Sequence, residues 1–141
     1  MSAASNYLEQ TLLKHLMRTA GTNGANYDTS ALNFWVSLHT GSPGEANDGS
    51  NEISGNDYLR QSLTFGNVAT DGTGVVANNA TISFPAANGD YSANVTYIGI
   101  YDNDGTPSGN LMWFGALSAP KDVNDGDVFQ INSGSLTITL A

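Results

Sequence analysis

"VTYIGIYDNDGTPSGNLMWFGAL", residues 95–117, decides the fold class of this chain. Its two flanks, "VTYIGIYD" and "NLMWFGAL", are rich in β-branched and aromatic residues, which fit a pleated surface. Both flanks are apolar at odd and even positions alike, so each reads as a strand covered on both faces. Between them, "YDNDGTPSGNL" is the Asp, Asn, Gly and Pro punctuation of a hairpin. Two adjacent central strands predict a β domain built around them.

The runs on either side follow a period of two. In "LNFWVSLH", Leu32, Phe34, Val36 and Leu38 alternate with Asn33, Trp35, Ser37 and His39. In "LRQSLTF", Leu59, Leu63 and Phe65 alternate with Arg60, Ser62 and Thr64. "ATISFP" puts Ile82 and Phe84 on one face, "DVFQI" adds a further run, and in "SLTITL" Leu136, Ile138 and Leu140 alternate with Thr137 and Thr139. About seven short strands with Gly, Asp and Asn turns predict a single antiparallel β-sandwich or jelly roll over residues 31–141.

Residues 6–20, "NYLEQTLLKHLMRTA", have a different period. Leu8, Leu12, Leu13, Leu16, Met17 and Ala20 recur at helical spacing. Asn6 suits an N-cap with Glu9 as its capping-box partner, Lys14 and Arg18 suit the C-terminal half, and Gly21 suits the stop. An N-terminal amphipathic helix with a polar connecting loop is expected over residues 1–30. Its stripe, Leu8, Leu12, Leu16 and Met17, is apolar enough to need covering and is the expected interface.

Composition narrows the function. Among 141 residues there are 13 acidic and 4 basic side chains, a net charge of −9. Such a chain repels a phosphate backbone or an anionic membrane surface, so neither nucleic acid nor membrane is expected as a partner. There is no cysteine, hence no disulfide framework and no thiolate chemistry. The N-terminus carries no secretory pattern, and no run approaches the roughly 18 apolar residues of a membrane span. A protein made in a cytoplasm is expected.

The search for chemistry gives no complete constellation. His15 lies in the helical run and His39 ends a strand, and G-x-S-x-G is missing, so His39 reads as structural. Trp35 and Trp113 sit inside strand runs, where packing is the simplest role. "DNDG" at 102–105 begins like a calcium loop, but Trp113 stands where its twelfth-position Glu belongs. "DVNDGD" at 122–127 reads as an Asp-Gly turn in the same way. The Asn79 and Asn94 glycosylation triplets mean nothing without secretion. No catalytic, metal or cofactor site is expected. Residues 40–57 form a long polar loop whose acids, Glu45, Asp48, Glu52 and Asp57, read as solubilising charge, and contact with a partner is its expected role.

Several phrases occur here in a fixed order: "SNYLEQTLLKHLM", "VSLHTGSPG", "NEISGNDYLRQSLTF", "NNATISFPAA", "YIGIYD", "GNLMWFGAL" and "VNDGDVFQINSGSLTITLA". In that order the chain resembles a family of small bacteriophage virion proteins, often labelled tail-fibre or structural protein. The resemblance implies a particle component without enzymatic activity, assembled in the host cytoplasm. A fibre needs length from repeats or coiled coil, and none is visible, so a capsid decoration or cement protein is expected. It would bind between subunits of the major capsid protein, or to other virion proteins, as a closed dimer or trimer. The alternatives are a small tail-fibre or baseplate component and a module that binds host glycans.

Overall fold

A computed structural model describes residues 3–5, 33–46, 51–66, 75–105 and 109–139. Every strand pair among them is antiparallel. The nine strands are β1 (Ala3–Ala4), β2 (Phe34–His39), β3 (Gln61–Leu63), β4 (Val75–Ala77), β5 (Ile82–Ser83), β6 (Val95–Tyr101), β7 (Leu111–Lys121), β8 (Gln130–Ile131) and β9 (Thr137–Thr139). One five-stranded sheet has the order β1-β7-β6-β2-β3, and β4–β9 and β5–β8 form two separate ribbons.

The hairpin of β6 and β7 lies inside the five-stranded sheet, as its two-sided apolar pattern predicts. Register assigns the faces. Val36 stands opposite Ile100 and Leu38 opposite Ile98, while Ser37 stands opposite Gly99 and His39 opposite Tyr97. Directly opposed residues share a face. Val36, Leu38 and Ile100 therefore point to one side, and Ser37, His39 and Gly99 to the other. Both sides of β2 are enclosed: Val36, Ser37, Leu38 and His39 are all 0% exposed. Gly99 is needed because a Cβ there would lie 2.7 Å from Ser37 Oγ and 2.9 Å from His39 Nε2.

The core joins the Val36 face to the ribbons. Val36, Leu38, Leu63, Val95 and Ile100 cluster with Ile82, Phe84, Leu136 and Ile138. Full burial of each such aliphatic side chain is worth about 1.5–3 kcal/mol. On β9 the Thr-Ile-Thr pattern is exposed, buried, exposed, as alternation requires. Asn78 holds this layer in register. Its amide donates to Ala80 O (2.8 Å) and Asn132 O (3.0 Å), and its Oδ1 accepts from Leu136 N (2.9 Å). A buried amide satisfied three ways fixes the chain segments around it.

β7 outruns its partner. Tyr97 pairs with Ala116 but Val95 with Lys121, so the register slips over the stretch containing Pro120. Proline has no N–H to give a ladder and settles at such irregularities.

The expected mainly β, antiparallel architecture is present. The seven expected runs correspond to β2, β3, β5, β6, β7, β8 and β9; β1 and β4 lie outside them. The described residues give one sheet and two ribbons, not the two continuous sheets of a jelly roll. Alternation in "LRQSLTF" starts too early. Leu59 is 62% exposed and Arg60 is buried, because β3 begins only at Gln61. The predicted helix at 6–20, its stripe Leu8, Leu12, Leu16 and Met17, and the boundary at residue 30 lie outside the described residues.

Candidate functional site

The described arms of the loop after β2 stay on the domain. Its returning arm pairs back on the strand: Thr40 N donates to Asn51 O (2.9 Å) and Ile53 N to Leu38 O (2.9 Å). His39 and Glu52 face each other in an isolated bridge. Asn51 Nδ2 reaches Ser42 O (3.0 Å), and Thr96 Oγ1 on β6 reaches Thr40 O (2.8 Å). Pro43 and Ile53 are buried, so both arms contribute to the interior.

The arm then turns sharply. Gly55, Asn56 and Asp57 have φ of 78°, 53° and 60°. Asn and Asp are the non-glycine residues that tolerate this left-handed region best. Asn56 Nδ2 anchors the turn on Asp90 O (2.6 Å). The turn delivers Tyr58 into the core, stacked on Phe84 with centroids 6.0 Å apart.

Tyr58 leads to a buried ionic cluster. Its hydroxyl accepts from Leu38 N (3.0 Å) and donates to Glu52 Oε1 (2.9 Å). Arg60 grips the same carboxylate twice, Nε to Oε1 and Nη2 to Oε2, both at 2.7 Å. The Arg60 and Glu52 side chains are 0% and 4% exposed, so Glu52 is an internal counter-ion and not solubilising charge. Glu45 and Asp57 do face solvent, and Asp48 lies outside the described residues. Arg60 Nη1 also donates to Asn103 O (3.0 Å), and its guanidinium lies 3.7 Å above the Tyr101 ring centre. His39 stacks on Tyr101 at 6.3 Å with the planes 14° apart.

Burial sets the charges here. It pushes the His39 pKa down to about 4; Glu52 opposes that fall and Arg60 adds to it. His39 is therefore neutral near pH 7. Burial and the Glu52 charge push the Tyr58 hydroxyl above its ordinary range. Burial works against the Arg60 charge, but the Glu52 hydrogen bonds and charge outweigh it and raise the Arg60 pKa. The result is one cation and one anion, closely paired, between two neutral side chains.

Ser37, His39 and Glu52 invite comparison with a hydrolytic triad. Ser37 Oγ and His39 Nε2 are 2.8 Å apart. A triad needs the other ring nitrogen to donate to the acid. His39 Nδ1 has no hydrogen-bond partner among the described residues, and Glu52 is held by Arg60 and Tyr58. Ser37 and His39 are both 0% exposed, so no substrate reaches the hydroxyl. The arrangement braces the loop against the sheet.

The remaining candidates have internal partners. Asp102 takes Asn110 N on Oδ1 (2.7 Å) and Asn110 Nδ2 on Oδ2 (2.8 Å), which closes the β6–β7 hairpin. Asp127 Oδ2 accepts from Asn124 N (3.0 Å), an Asp-Gly turn as expected. Among the described residues no three His, Asp or Glu side chains gather as metal ligands. Trp113 packs edge-on to Phe34 at 6.1 Å against the core.

The spacing of Glu52 and Arg60 in the sequence does not signal their pairing. Its one visible signal is Arg60 itself, one of four basic residues, standing in an alternating run whose apolar members are Leu59, Leu63 and Phe65.

Residues 3–139 match the family model described as Podophage GP4 fiber I protein gp80. The match spans nearly the whole chain, and the chain belongs to this family. It is a structural protein of the phage particle, associated there with other virion components. No curated protein matches it.

Proposed function

We propose that this chain is a non-catalytic structural module of the fibre apparatus, attached through protein–protein contacts. The observation that carries the reading is the family match over residues 3–139, to a family described by a fibre protein. Capsid decoration, the expectation drawn from the lack of length-giving repeats, has no comparable observation behind it. A compact module without repeats suits an adaptor or end piece of a fibre as well as a cement protein. The enclosed Ser37, His39 and Glu52 favour a role without catalysis, since their polar atoms serve the fold.

Labelling intact particles tests the reading. Gold-conjugated antibody against the chain should decorate fibres at the tail in negative-stain micrographs. Label spread evenly over the capsid shell would move the assignment to decoration. In parallel, a hydrolase screen should give no activity that His39→Ala abolishes.

A further inference from the structure

A cleft of about 430 Å3 runs between β7 and the stretch 129–138. Its floor is core side chains left partly open: Ile98, Trp113, Leu117, Phe129 and Ile131. An apolar opening of this kind in a virion component asks for a cover.

Two observations indicate what covers it. The first is charge. The chain carries 13 acids, yet none is among the cleft's described lining residues, and Lys121 is the one charged residue there. The second is backbone. β1 pairs with β7 only at Phe114 and Trp113, with Ser5 N continuing to Met112 O. Beyond Phe114, the outer edge of β7 has no partner among the described residues. Ala116, Ser118 and Ala119 there are exposed and small.

We infer that two copies of this chain join edge to edge through β7, about a two-fold axis perpendicular to the sheet. Identical edges related this way run antiparallel, which is the pairing such an axis allows. The same operation puts both ribbon layers on one side, so the two clefts meet and close each other. For a chain of net charge −9, a cleft with no acid among its described lining residues lets a second copy approach with less repulsion than the acidic loops do. Pro120 and Lys121 limit the pairing to the stretch before them, as edge guards do. The inference does not depend on whether the chain sits on fibre or capsid.

The chain has no cysteine, which makes cross-linking a clean test. Sedimentation equilibrium of the purified chain should give twice the chain mass. Ser118→Asp with Ala119→Asp should halve that mass while the circular dichroism spectrum stays unchanged. Single variants Ala116→Cys, Ser118→Cys and Ala119→Cys should include at least one that forms a disulfide dimer under mild oxidation, and exposed Ser92→Cys should not. A monomeric native chain overturns the inference. So does a dimer that survives the double aspartate variant, or cross-linking at Ser92→Cys alone. If the aspartate pair unfolds the chain, the cysteine series decides by itself.

Discussion

The loop at 40–57 and the far half of β7 invert their appearances. The loop is Gly-, Asn- and acid-rich and looks like solvated surface. Its arms nevertheless pair with β2, bury Pro43 and Ile53, and place Glu52 on Arg60 inside the domain. β7 begins as a buried apolar strand and ends largely exposed, with Pro120 and Lys121 as its last residues. Polarity alone therefore does not locate the surface. A polar residue goes inside when its hydrogen bonds are completed there, and an apolar strand reaches the outside when its ladder runs out of partners.

The largest effect should come from breaking the internal pair. Removing one partner of a buried ion pair leaves the other uncompensated, at about 3–5 kcal/mol. Glu52→Ala or Arg60→Ala should each lower stability by that amount in urea titrations. The double variant should be less damaged than the two single losses added together. Costs below about 1 kcal/mol would put the pair among ordinary surface salt bridges.

Next comes pH. His39 has a pKa lowered to about 4 in the folded chain, so its neutral form is the one that folds. The unfolded chain binds a proton near the ordinary value of about 6.5. The stabilising contribution is full above that value and is lost as pH falls toward 4. Its size is of order 3 kcal/mol at most, from about 1.4 kcal/mol per tenfold change in proton affinity. Thermal melts of His39→Gln and the native chain should converge as pH drops through this window. Parallel curves would mean that His39 is not held neutral.

Gly99→Ala should cost less, about 1–3 kcal/mol, as overpacking does. The added methyl would meet Ser37 Oγ and His39 Nε2, so the loss should shrink when Ser37 is also changed to Gly. An additive double variant would show that the close approach is not what requires glycine.

Much of the sheet was legible because burial leaves a periodic trace. Val36, Leu38 and Ile138 follow it, while the hairpin of β6 and β7 was legible for the opposite reason, apolar residues at odd and even positions alike. β1 (Ala-Ala) and β4 (Val-Val-Ala) carry no alternation of apolar and polar residues that would mark a strand. Leu59 misled because spacing cannot say where a strand starts. The Glu52–Arg60 contact joins residues eight apart through a left-handed turn at Gly55, Asn56 and Asp57, and no pattern of residue types encodes that path. The particle role was legible through the order of whole phrases, with a tail-fibre component among its alternatives; the family match supports the particle role.

Hydrogen exchange read by mass spectrometry tests the inverted pair of regions most directly. Peptides covering 51–60 should show core-level protection at every protein concentration. Peptides covering 115–121 should exchange fast in dilute chain and become protected as concentration rises. Fast exchange across 51–60, at the rate of an unstructured loop, would contradict the account.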